Sequence, residues 1–189
     1  MNLPNKLTIL RIILVPVFMI LLLNFNMLAI SGMVFVIASL TDLADGKIAR
    51  KYNLVTNFGK FADPLADKLL VSAALIALCA IDKLGTSTVL GAWATFIIIA
   101  REFMVTGIRL VAAAEGKVIA AGMSGKIKTT VQMITIVYIL FSDLIVSLGL
   151  PVVVSGIFSN ILVITSVIMT VYSGAEYLIQ NKSLLNTNK

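Results

Sequence analysis

Histidine is absent from this 189-residue chain, and cysteine occurs once, as Cys79 within the apolar run SAALIALCAI. No imidazole is available as a general base, as a metal ligand or as the middle member of a Ser-His-Asp triad. A lone thiol cannot close a disulfide framework, build a Cys-rich zinc site or hold an iron–sulfur cluster within one chain. Charge is scarce as well. Only 13% of residues are Asp, Glu, Lys or Arg, against 59% hydrophobic, whereas about a quarter of a soluble domain is charged. Mean hydropathy is +1.04. The net charge of +6 is compatible with nucleic acid, but an aqueous domain cannot tolerate this much apolar surface. A membrane protein with one basic face fits, and nucleic acid is not an expected partner.

What the chain does have is long uncharged stretches. Positions 12–41 hold 30 residues without an ionisable charge, broken by Asn24-Phe25-Asn26, and positions 144–175 hold 32 more. Between them, 69–81, 84–100 and 129–142 hold 13, 17 and 14. A crossing helix takes about 20 mainly apolar residues, so the first stretch holds most of two helices with a turn at Asn24–Asn26. The shorter stretches reach that length only through their charged flanks, which is costly unless each charge faces protein, metal or water. The pattern predicts an all-α integral membrane protein, a single domain over 1–189. Its six transmembrane helices lie near 8–24, 29–50, 61–81, 87–110, 126–142 and 157–178. Residues 143–155 read equally as a short outer loop, a re-entrant piece or the start of a long tilted helix, with Pro151 favouring a break.

Basic residues set the orientation. With an even number of spans and both termini cytoplasmic, 14 of the 15 Lys and Arg residues face inward and only Lys83 faces out. Lys6 and Arg11 before an apolar run resemble a signal peptide, but no small-residue cleavage box follows. The expectation is an uncleaved first helix, capped by Asn5 or Thr8, with a short amphipathic lead-in along the membrane surface.

Four of the six aspartates fall in one run, DLADGKIARKYNLVTNFGKFADPLADK. Asp42 and Asp45 are three apart, Asp63 and Asp67 four apart, so each pair shares a helix face. The first pair closes the second predicted span and the second opens the third. A helical hairpin would gather all four at the cytoplasmic edge. Crowded carboxylates repel, and their oxygens suit hard divalent ions, two of which clamp a phosphoryl group well. Neutralisation by Lys47, Arg50, Lys51, Lys60 and Lys68 is the plainer alternative. Gly46, Ala49 and Gly59 are small enough for close approach of a helix or flat ligand. Pro64 suits a first helical turn, which would put Asp63 near an N-cap.

The arrangement Asp42-x2-Asp45-Gly46-x2-Ala49-Arg50-x8-Gly59-x3-Asp63-x3-Asp67 resembles the signature of the CDP-alcohol phosphotransferases at every fixed position. The resemblance implies that Asp42, Asp45 and Asp63 ligate two Mg²⁺ or Mn²⁺ ions. It further implies that Asp67 touches the metal centre and acts as the base, and that Gly46, Ala49, Arg50 and Gly59 line the site for the CDP moiety. It also implies a homodimer.

The acceptor must be read elsewhere. Arg101 and Arg109, eight apart, can flank one cavity, and Lys126 follows across a Gly-rich loop. A buried Arg101 needs an anion such as Glu102, a core Asp or a bound phosphate. Lys117 and Lys128 read instead as flanks snorkelling to headgroups. A basic pocket suggests an acceptor bearing its own phosphate. Arg101-Glu102, Gly107-Ile108-Arg109, Gly125-Lys126-Ile127-Lys128-Thr129 and Gln132-Met133 resemble the corresponding region of phosphatidylglycerophosphate synthases, as does the opening LPNKLTILRIILVPVF. That likeness implies transfer from CDP-diacylglycerol to sn-glycerol 3-phosphate at the cytoplasmic face of a cell membrane, among membrane lipids, with Arg101, Arg109 and Lys126 on the acceptor phosphate. Inositol phosphate, serine or phosphatidylglycerol as acceptor is the nearest alternative. A divalent-cation transporter is the alternative of another class, although it would place carboxylates at midplane.

Overall fold

Six helices occupy the expected stretches in a computed structural model. It describes residues 3–51, 57–85, 87–114, 116, 119 and 122–182, with backbone alone at 3–4, 43–51, 57–64, 67 and 114. They are α1 (Leu3–Leu23), α2 (Leu28–Lys51), α3 (Asn57–Ala80), α4 (Thr88–Ala114), α5 (Met123–Ser147) and α6 (Val152–Gln180). No strand occurs among the described residues.

The polar patch after α1 turns the chain as its composition suggests. Asn26 takes a left-handed φ of 50°, which Asn tolerates better than most residues, and the Met27 N–H closes onto the Leu21 carbonyl at 3.1 Å. The ambiguity at 143–155 resolves into a short connection. α5 continues through Asp143 to Ser147, Gly149 reverses the chain at φ 113°, and Pro151 caps α6. Two expectations at helix starts fail. α1 already runs at Leu3, so Asn5 and Thr8 are buried interior positions, not caps. α3 begins at Asn57, so Asp63 is more than a turn inside it and Pro64 is not in its first turn. With no breaker at 60–62, the helix starts ahead of the proline and forgoes one N–H donor. The dipole argument for Asp63 falls with that.

Packing follows stripes at three- and four-residue intervals. On α1 the buried positions are Asn5, Thr8, Arg11, Val15, Phe18 and Leu22; on α5 they include Lys128, Gln132, Thr135, Ile139 and Ser142. α1 packs against α2 and α3, α5 against α6 and α2, and α4 against α3 and α6. The Phe18 and Phe35 rings meet at 6.0 Å. Gly32 allows α2 and α5 to close up, since a Cβ there would sit 2.9 Å from the Phe141 ring.

Outside this core the surface is apolar. Among the described residues three helices, Asn5–Leu23, Met123–Ser147 and Val152–Gln180, are long and apolar enough to cross a membrane, and only 22% of the last one's most apolar stretch is buried. Leu28–Asp42 and Lys68–Ala80 are shorter apolar stretches. Ile161, Ile164, Ile168 and Val171 of α6 all face outward. So much exposed hydrocarbon on one helix suits a lipid environment and not water.

Candidate active site

Arg11 stands on the buried stripe of α1 among Thr8, Val15 and Phe18, with no exposed surface at all. Its Nη1 lies 2.6 Å from Oδ1 of Asp42 in the C-terminal half of α2. A guanidinium cannot shed its charge, so a buried one needs an anion, and Asp42 supplies it. The Asp42 side chain is still 37% exposed and lines a cavity of about 350 Å³ together with Arg11, Ser39, Thr129 and Thr130.

A second charge cluster ties α4 to α5. Glu102 Oε1 accepts from Arg101 Nη1 at 2.9 Å and from Lys128 Nζ at 2.6 Å. The three side chains are 24%, 12% and 2% exposed respectively. Arg101 lies on the inward stripe of α4 with Ile98 and Val105, and Lys128 holds the equivalent position on α5. One carboxylate oxygen thus serves two cations, leaving the cluster net positive.

That surplus faces a cavity of about 370 Å³, lined by Lys68, Arg101, Arg109, Lys126, Thr129 and Thr130 among others. The three basic residues singled out in the sequence therefore share one chamber. Thr129 and Thr130 line this chamber and the Asp42 cavity alike. The cavity that holds the Asp42 carboxylate and the basic chamber thus adjoin across the first turns of α5.

Sequence reasoning missed two members. Lys128 is buried in the cluster and not snorkelling; it falls in phase with Gln132 and Thr135, which point inward. Arg11 enters the charge count only as one of the 14 inward-facing basic residues, although its phase with Val15 and Phe18 marks a core position. The expectation for Lys117 lies outside the described residues. So do the side chains of Asp45, Asp63, Asp67, Ala49 and Arg50 and the surroundings of Gly46 and Gly59; the backbone places the first pair of aspartates on α2 and the second on α3.

A model of the CDP-alcohol phosphatidyltransferase family matches residues 1–172. The chain belongs to that family. A curated relative from Bacillus subtilis, CDP-diacylglycerol–glycerol-3-phosphate 3-phosphatidyltransferase, is 46% identical over 201 residues, covering 99% of this chain and 98% of its own. The protein of the same name from Rickettsia typhi is 38% identical over 178 residues, with 93% and 94% covered. A probable phosphatidylglycerophosphate synthase from Mycobacterium tuberculosis is 36% identical over 181 residues, covering 93% of this chain and 79% of its own. The chain is thus an all-helical membrane transferase of a family that generally uses divalent metals.

The donor chemistry suits such ions. Asp42 presents a partly exposed carboxylate to a cavity whose other described polar groups are hydroxyls and Arg11. Oxygen ligands without imidazole or thiolate match Mg²⁺ and Mn²⁺.

Proposed function

We propose that the chain transfers the phosphatidyl group of CDP-diacylglycerol to sn-glycerol 3-phosphate, giving phosphatidylglycerol phosphate and CMP. The supporting observation is the shared wall of Thr129 and Thr130, which sets the Asp42 cavity beside the chamber of Arg101, Arg109 and Lys126. An acceptor holding its phosphate among those cations reaches across that wall toward the Asp42 carboxylate. The nearly full-length likeness to the Bacillus subtilis protein supports the same reading.

In this reading Asp42, Asp45, Asp63 and Asp67 hold two divalent ions, Mg²⁺ or Mn²⁺. When bound, they neutralise charge on the pyrophosphate and the departing CMP. Arg11 fixes the Asp42 carboxylate from the protein side. Gly46, Ala49, Arg50 and Gly59 receive the CDP moiety. Asp67 takes the proton from the primary hydroxyl of glycerol phosphate, whose oxygen forms a bond to the phosphorus carrying diacylglycerol while the bond to CMP breaks. Arg101, Arg109 and Lys126 hold the acceptor's phosphate, turning encounter into orientation. The positive-inside bias supports six spans with both termini in the cytoplasm, and hence an active site at the cytoplasmic face of the cell membrane. A short amphipathic lead-in and a homodimer complete the reading.

The test is an acceptor screen. The purified protein in lipid vesicles receives radiolabelled CDP-diacylglycerol with glycerol 3-phosphate, inositol phosphate, serine or phosphatidylglycerol, and CMP release is followed with and without chelator. Release with glycerol 3-phosphate alone, abolished by chelation, is expected. Release with another acceptor would reassign the substrate. Metal flux across the vesicle without CMP release would replace the enzyme by a transporter.

A further inference from the structure

The acceptor chamber as described involves α3, α4 and α5, yet its arginines rest on a helix whose sequence shows no functional motif. α6 packs along α4, and two of its inward positions, one turn apart, meet the two arginines. Gly174 lies against the Arg101 stem: a Cβ there would come within 3.2 Å of Arg101 Cγ. Tyr177 places its ring beneath Arg109, with the guanidinium carbon 5.6 Å from the ring centroid. That is within the range in which a cation is attracted by the ring's quadrupole.

The phenol itself is informative. Tyr177 is 6% exposed, and its hydroxyl is buried without a hydrogen-bond partner among the described residues. A hydroxyl left in that state contributes nothing favourable, so the ring face is what the position uses. Arg109 is exposed on α4, and a free arginine on a chamber wall has many rotamers to lose when it grips an anion. A guanidinium already stacked on a ring loses fewer.

We infer that Tyr177 is a positioning residue for the acceptor: its ring seats Arg109, and with Gly174 admitting the Arg101 stem it makes α6 the rear support of the chamber. The inference rests on the acceptor reading above. It extends that reading to residues beyond 172, where the family match ends.

The experiment measures steady-state kinetics of the full chain in CDP-diacylglycerol vesicles for Tyr177→Leu, Tyr177→Phe, Arg109→Ala and the Arg109→Ala/Tyr177→Leu pair. Tyr177→Leu should raise KM for glycerol 3-phosphate about two- to fivefold, with kcat and the CDP-diacylglycerol KM unchanged. Tyr177→Phe should restore the wild-type KM, and the double variant should be no worse than Arg109→Ala alone. A fall in kcat at constant KM, a Phe variant as poor as Leu, or additive losses in the double variant would overturn the seat. If Arg109→Ala itself leaves the acceptor KM at the wild-type value, the acceptor chamber is wrong. If only Tyr177→Leu does so, the chamber stands and the inference alone falls.

Discussion

At one end of the bundle, Lys83 Nζ and Asp143 meet at 2.8 Å with side chains 37% and 56% exposed. At the other, Arg11 has no exposure, and Lys128 at 2% shares Glu102 with Arg101. The first pair joins the loop after α3 to the last turns of α5, and water screens it. The second group takes three cations out of solvent, where desolvation offsets most of their attraction to two carboxylates. A fold seeking stability alone would fill those stripes with Leu and Ile, as α1 does at Leu22 and α5 at Ile139. The difference between the ends is therefore better explained by chemistry at one of them.

The hardest test of that contrast is to remove the proposed base. Asp67→Asn should lower turnover by about 10²- to 10⁴-fold, with only modest loss of metal or donor binding. Both are measured on reconstituted protein, by CMP release and by retention of CDP-diacylglycerol. Preserved product formation would defeat the role given to Asp67 and leave the charged end without its central group.

A smaller effect is expected one helix away. Glu102→Ala takes the shared anion from Arg101 and Lys128 at once. With Glu102 itself 24% exposed, the loss of stability should be about 2 kcal/mol, below the range for a fully buried pair. The acceptor KM should rise with it, because both cations lose their anchor. Thermal unfolding in detergent and acceptor titration report the two effects separately. An unchanged melting temperature would show that this end is as loosely held as the other.

Much of this architecture is legible in the sequence. Helix number and order, the turn at Asn24–Asn26 and the break at Pro151 followed from charge-free length and turn chemistry. The common chamber of Arg101 and Arg109 followed from their helical phase. Arg11 and Lys128 were misread for one reason. Counting charges per loop treats a basic residue near a helix end as a flank, while the stripes Arg11-Val15-Phe18 and Lys128-Gln132-Thr135 point inward. Pro64 suggests a helix start that α3 does not use, because a helix can begin upstream, here at Asn57, and forgo one hydrogen bond. Tyr177 was illegible for a different reason. A ring beneath a guanidinium depends on how α6 crosses α4, which no local pattern encodes.

The smallest effect belongs to the exposed pair, and it calibrates the rest. Lys83→Ala removes an ion pair of 2.8 Å, within the 2.6–2.9 Å range of those inside, from side chains that keep much of their hydration. Surface pairs contribute about 0–1 kcal/mol, and this one must also order a long lysine in a loop. The melting temperature of Lys83→Ala should stay close to that of the unaltered protein, and kcat and both KM values should not move. Raising salt should erase whatever difference remains, since screening acts on exposed charges first. The comparison turns on that insensitivity. If Lys83→Ala lowered the melting temperature as far as Glu102→Ala, ion-pair length rather than burial would govern stability here, and the charged interior at the other end would need no functional explanation.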